Sequence, residues 1–186
     1  MSILTKHTKN LVDAFYFLHE SEAELLQKLA ELVPENGICV NIGAGVGTSA
    51  LAVLEKRPDL TDTFFTIDIR SEGNPFGGLE NERNAFDKAE MEYPNQIFGD
   101  SKEVVKGWDD DIDFLIVDGD HSYDGAKADI VEWGKFVKSG GIILVHDYES
   151  VHWGDVKKVV DKYLGANLDY VFLDRSISYV AFVKKV

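Results

Sequence analysis

The chain has 186 residues, 45% of them hydrophobic and 11% aromatic, with only four prolines, so it is long and apolar enough for one domain with a sizeable core. Thirty-three Asp and Glu stand against 19 Lys and Arg, a formal charge of −14 that repels phosphate backbones and anionic membranes. Neither nucleic acid nor a membrane is therefore an expected partner, and a small molecule is.

No run approaches the roughly 18 apolar residues of a membrane span. The first twenty residues also lack the basic start and apolar run of a signal peptide, so a cytoplasmic location is expected. Cys39 is the single cysteine, which excludes an intrachain disulfide and a thiolate-rich metal site; in its apolar strand pattern it reads as a core residue.

Residues 10–18 can form a short helix or packed arm with Leu11, Phe15 and Leu18 on one side. Ser21 reads as an N-cap with Glu24 closing a capping box. The stripe Leu25, Leu26, Leu29, Leu32 and Val33 then predicts a helix that stops at Pro34–Gly37. Residues 1–35 thus form a helical segment packed on a core domain of residues 36–186.

Strand one is predicted over 38–42, running into Gly43, Gly45 and Gly47, with a helix starting near Thr48 and ending before Pro58. Strand two covers 64–69 with Asp68 near its carboxyl end. The glycine-rich stretch 71–79 reads as a loop, and a helix resumes at about Glu80 with Ala85, Phe86 and Ala89 on one face. Ile97–Phe98 is a weak strand, followed by Gly99-Asp100-Ser101 and a short helix. Residues 114–117 form a buried strand ending in Asp118-Gly-Asp-His121, and Tyr123, Ala126, Ile130, Trp133 and Val137 fall at helical spacing. Gly140-Gly141 reads as a turn into strand 142–145, which ends at His146-Asp147. A last helix carries Val156, Val159, Val160 and Tyr163, and residues 170–173 and 179–183 are too close for a crossover helix, so they form an antiparallel hairpin.

Short apolar strands alternating with helices imply an α/β fold with a mostly parallel sheet covered on both faces. In such a sheet the strand carboxyl ends converge on the ligand crevice, and 41–47, Asp68, Asp100, 118–121 and 146–147 all fall there.

The glycine turn is not a Walker loop, and its third glycine is out of step with the dinucleotide fingerprint; Gly43 and Gly45 still permit close backbone approach to a ligand. Asp68, 21 positions beyond Gly47, can accept from both hydroxyls of a ribose, or merely cap a turn. Asp100 can accept from an adenine amino group or cap the helix after Ser101. Asp118, Asp120, His121 and Asp147 suit a hard divalent cation such as Mg²⁺, or general-base chemistry with His121 taking a proton. Asp118 and Asp120 could otherwise cap the next helix while His121 packs on it. His146 can point to either side of its strand, and His152 and Trp153 in the loop after it, like Tyr148 and Tyr123, could touch substrate or equally pack on the surface.

The segments Asn41-Ile-Gly-Ala-Gly-Val-Gly47, Asp68, Gly99–Ser101, 114–123 and 140–147 resemble the class I S-adenosylmethionine-dependent methyltransferases. More narrowly, DFLIVDGDHSYDGAKADI and GGIILVHDY are similar to methyltransferase family 24, related to cephalosporin-hydroxylase-like and macrolide-sugar O-methyltransferases, over residues 36–186. The resemblance implies a Rossmann-like seven-stranded sheet of order 3-2-1-4-5-7-6 with the last strand antiparallel. It also implies S-adenosylmethionine as cofactor, with Asn41, Gly43, Gly45 and Gly47 at its methionine part, Asp68 at the ribose, Asp100 and Ser101 at the adenine, and Asp118 at the same site. Asp118 and Asp147 would match the ligands of a divalent ion, Mg²⁺, and His121 the base. Asn41 departs from the acidic residue usual before the glycine motif. Tyr148 stands where catechol-type enzymes have an asparagine ligand, which leaves that metal corner to His146, water or nothing.

O-methyl transfer to a sugar or phenolic hydroxyl is the resulting expectation. The alternatives are a nicotinamide-dependent oxidoreductase and a non-catalytic cofactor-binding or partner protein on the same fold. The short 71–79 loop leaves little material for an acceptor pocket, and a second copy in a homodimer could supply the wall.

Overall fold

In the computed structural model, residues 5–15, 18–69 and 78–186 are described. Seven strands, β1 (Cys39–Ile42), β2 (Phe64–Asp68), β3 (Asn95–Phe98), β4 (Ile112–Val117), β5 (Val137–Val145), β6 (Tyr170–Ser176) and β7 (Tyr179–Lys184), form one sheet. Its order is β3-β2-β1-β4-β5-β7-β6. The first five strands are parallel, and β7 runs antiparallel to both β5 and β6. This is the Rossmann-like arrangement expected, and it follows from chemistry: five strands reached through helices must run parallel, while a two-residue link can only reverse direction.

The central strands β1 and β4 and the second half of β5 are buried on both faces, and alternate residues feed two cores, while the edge strands β3 and β6 stay largely exposed. Cys39, Phe64, Phe114, Ile116, Ile142 and Leu144 face α1 (Lys6–Phe15), α2 (Glu20–Ala30), α3 (Thr48–Lys56) and α4 (Leu79–Ala89). Val40, Ile42, Ile67, Leu115, Val117, Ile143 and Val145 face α6 (Tyr123–Trp133) and α7 (Gly154–Val160), with Val105 beyond the short α5 (Ser101–Val104). Leu18, Leu25, Leu26 and Leu29 from the N-terminal helical segment are buried in the first of these cores. Among the described residues no helix is long and apolar enough to cross a membrane.

Some local expectations shift. Helix α2 starts two residues early: His19 is the N-cap, and the Glu22 carboxylate, not Glu24, reaches back to the His19 N–H at 2.8 Å. Leu32, in the expected apolar stripe, lies beyond the helix end and is 60% exposed. Gly140-Gly141 is no turn between elements but an irregularity inside β5, which already begins at Val137; Gly140 takes φ +83° where the register between β4 and β5 shifts. Helix α6 therefore ends at Trp133, before Val137. Ile69 falls outside β2 and is 61% exposed. Of the expected 71–79 loop, residues 71–77 lie outside the described residues, and α4 begins at Leu79. The side chains of Leu11 and Phe15 also lie outside the description.

Register decides the rest. Ile42 is level with Ile67 and with Val117, and Val117 with Val145. The ladder continues one residue past the strands: Gly43 N–H donates to Ile67 O (2.8 Å), Asp118 N–H to Ile42 O (2.9 Å) and His146 N–H to Val117 O (3.0 Å). Gly43 is thereby pressed on the chain after β4, where a Cβ would come 1.9 Å from the Asp118 carbonyl oxygen, and its φ is +83°. Only glycine fits both conditions. Gly43→Ala is expected to lose at least ~3 kcal/mol of stability or fail to fold, read as the urea midpoint against the parent chain.

Candidate active site

The strand carboxyl ends open into a cavity of about 800 Å³. Gly43, Gly45, Asp68, Asp100, Ser101, Asp118, His121, His146 and Asp147 all line it, so nearly every residue singled out in the sequence converges there. Each sits at or just past a strand end because a short apolar strand must stop where the chain meets solvent, and the polar residues there form the rim.

On one side, Asp68 accepts the Gly45 N–H at Oδ2, 3.1 Å, clamping the glycine turn to the end of β2. Asp100 is the N-cap of α5, accepting from Lys102 N–H at 2.9 Å, so the capping role is the one it plays in this structure. Ser101 donates its hydroxyl to Asp129 Oδ1 at 2.5 Å, and its carbonyl accepts from Trp133 Nε1 at 3.3 Å, which ties α5 to α6.

Asn41 and Gly47 do not line the cavity. Asn41 is fully buried on the α1–α4 side of β1, and its Nδ2 donates to Ile42 O at 3.2 Å, because strand alternation points residue 41 away from the face that Ile42 shares. Asn41 is therefore outside the cavity wall and meets the glycine turn from behind. Gly47 caps α3 at φ +87°, with Glu82 packed against it.

The other side is a charge cluster. His121 Nε2 stands 2.8 Å from Asp147 Oδ2 and 3.6 Å from Asp118 Oδ1, and its ring stacks on Trp153 with centroids 4.8 Å apart. His146 Nδ1 is 3.1 Å from Asp118 Oδ1 and 3.4 Å from Asp147 Oδ2, while its Nε2 faces Glu22 Oε1 at 3.7 Å. Asp147 takes φ +57°, a left-handed turn that brings its carboxylate back over the strand end. Asp120 accepts the Ser122 N–H at 2.9 Å, which is its helix-start role.

The carboxylates of Asp118 and Asp147 beside Nε2 push His121 up to about 9, against burial. Burial opposes the charge on His146, but the neighbouring Asp118 wins and raises it well above the usual imidazole range. Burial likewise opposes ionisation of Asp118 and Asp147, yet the two imidazoles hold both below the usual carboxylate range.

A family model described as a methyltransferase domain matches residues 40–148. The chain belongs to this methyltransferase family. Solved structures similar in fold include a protein of Corynebacterium glutamicum (TM-score 0.78, 16% identity, covering 100% of this chain and 93% of that one). Another is the methyltransferase PaMTH1 of Podospora anserina, bound to SAH (TM-score 0.73, 17% identity, 97% and 87% covered). A third is an O-methyltransferase of Bacillus cereus in complex with SAH (TM-score 0.72, 13% identity, 97% and 92% covered).

In this methyltransferase the donor set fits a divalent cation. Asp118, His121 and Asp147 each offer one atom, all within 4.8 Å of one another. His121 Nε2 is buried and makes no aligned hydrogen bond although a carboxylate oxygen lies 2.8 Å away.

Two site residues lay outside the sequence argument, Glu22 and Asp129. Each is an acid on the apolar side of its helix, beside Ala23 and Ile130, and that placement is the signal that could have found them. Asp129 is 1% exposed, with Oδ2 lacking a partner, and burial pushes its carboxyl up to about 6. A raised carboxyl favours folding while protonated, so its contribution is full below about 4 and lost as pH rises through about 6. Asp129→Asn is expected to flatten that part of the stability curve and to gain about 1–3 kcal/mol at pH 7, measured by thermal melts from pH 4 to 8.

Proposed function

We propose that this methyltransferase moves a methyl group from S-adenosylmethionine to the hydroxyl of a small molecule, a sugar or a phenol. The observation that carries the reading is one cavity spanning Asp68 and Ser101 at one side and Asp118, His121 and Asp147 at the other, so that a nucleoside and an acceptor can share it. The SAH complexes of the Podospora and Bacillus proteins, alike in fold, support the cofactor.

When bound, S-adenosylmethionine supplies a methyl already activated on a sulfonium, which leaves the chain to orient two partners and handle a proton. Gly43 and Gly45 let the methionine part approach backbone. Asp68 accepts from the ribose hydroxyls, and Asp100 and Ser101 border the adenine. His121 takes the acceptor's proton, its ring held in place by Trp153 and by Asp118 and Asp147. A divalent cation on those two carboxylates would polarise the hydroxyl and offset the charge that keeps His121 protonated.

The test is calorimetric titration with S-adenosylhomocysteine and with NADH: binding of the first and not the second is expected, and the reverse sinks the reading. Asp68→Ala is expected to raise the S-adenosylhomocysteine Kd by about 10–100-fold, the loss of a charge-assisted bond of roughly 1.5–3 kcal/mol. His121→Ala is expected to lower kcat by about 10²–10⁴ with that Kd unchanged. Because a proton acceptor must first be neutral, the rate of chelator-treated protein should rise with pH and level off above about 9, followed by mass spectrometry of the methylated acceptor.

A further inference from the structure

Tyr148, at the corner where catechol-type enzymes have an asparagine ligand, is turned away: its hydroxyl donates to Asp161 at 2.7 Å. His146 occupies that side instead, with Nδ1 3.1 Å from Asp118 Oδ1 and 3.4 Å from Asp147 Oδ2. At metal–ligand distances of about 2.0–2.2 Å, neighbouring ligand atoms lie roughly 3–3.5 Å apart, so the separations that now serve a hydrogen bond and an ion pair also fit a shared coordination sphere.

We propose that the cation held by Asp118 and Asp147 is also bound through His146 Nδ1, so that the site takes a nitrogen-accepting transition ion, of the Mn²⁺, Co²⁺ or Zn²⁺ class, ahead of Mg²⁺. The proposal rests on the methyl-transfer reading for the use of the cation, not for its binding.

Three observations support His146 over His121 as the ligand. Glu22, 1% exposed, stands behind His146 with Oε1 3.7 Å from Nε2. A carboxylate behind one ring nitrogen is the arrangement that turns the other toward a metal and raises its basicity. Glu22 is itself fixed, accepting the Ser178 N–H at Oε1 and the His19 N–H at Oε2, each at 2.8 Å. The His146 ring is also walled by Tyr179, 4.5 Å between centroids, and its Nδ1 side faces the carboxylates of Asp118 and Asp147. His121 stacks on the half-exposed Trp153, on the open side of the cavity, where a proton acceptor belongs. Binding displaces the proton that Nδ1 shares with Asp118 to solvent, leaving a neutral imidazole lone pair on the metal.

Mg²⁺ prefers an all-oxygen octahedron and gains little from an imidazole, whereas the first-row transition ions accept one readily. The test uses the whole chain, stripped with chelator and titrated with Mn²⁺ by paramagnetic resonance, with Mg²⁺ as competitor. Expected are Mn²⁺ binding at least ~10-fold tighter than Mg²⁺ and a nitrogen coupling in the electron spin echo of the bound ion. That coupling should persist in His121→Gln and vanish in His146→Gln. Should His146→Gln not fold, Glu22→Gln is the second variant, expected to weaken Mn²⁺ by about 10–100-fold. No nitrogen coupling, equal affinity for Mg²⁺, no cation binding, a coupling lost only in His121→Gln, or Mn²⁺ affinity unchanged in Glu22→Gln each overturn the proposal. S-adenosylhomocysteine calorimetry on the same samples separates the two readings: cofactor bound without cation selectivity defeats this inference alone, and selectivity without cofactor defeats the function.

Discussion

Everything in this protein that does chemistry depends on the backbone of one turn lying against the backbone of another. Gly43, leaving β1, and Asp118, leaving β4, are adjacent because β1 and β4 pair in parallel with Ile42 level with Val117. There is no room between them for a Cβ. This close seating places the glycine turn and the acidic strand ends on one rim, so a ligand touching Gly45 is within reach of Asp68 on one side and Asp118 on the other.

The rim also concentrates charge in a half-buried place. Glu22, Asp118 and Asp147 supply three carboxylates, and His121 and His146 two imidazoles. Separately, each would be driven toward its neutral form by burial; together they hold one another ionised, since the loss of one partner strands the other in a poorly solvated site. Such a cluster is coupled, and a change at one member is felt at all. It is also a place where a cation or a substrate proton can be exchanged against existing charge, which is what a methyl acceptor losing a proton requires.

The N-terminal helical segment belongs to this arrangement more closely than its position in the chain suggests. Leu18 lines the cavity, and Glu22 reaches both Ser178, in the turn between the last two strands, and His146. One buried acid thus joins the first helices, the final hairpin and the charged rim of the cavity.

How much of this was legible in the chain depends on range. Strand identity, the parallel sheet and the gathering of Asp68, Ser101, Asp118, His121 and Asp147 followed from apolar runs ending in polar residues, because a buried strand must be apolar and its end must meet solvent. The family resemblance supplied the strand order. Local boundaries shifted where two nearby residues competed for one cap, as Ser21 and His19 did, or where a glycine pair served a strand irregularity in place of a turn. Asn41 was assigned to the ligand by its place in a motif, and strand alternation put it on the opposite face. What the amino-acid order determined by itself was thus the set of residues at the rim, through periodicity and chain direction. Only the tertiary structure decided which of them meet: that His146 turns to Asp118 and Glu22, that Tyr148 turns away, and that Asp129 backs Ser101. Those pairings join residues 28 to 124 positions apart (His146 to Glu22 being the longest) or set side-chain direction at a turn, and neither is encoded in any local pattern.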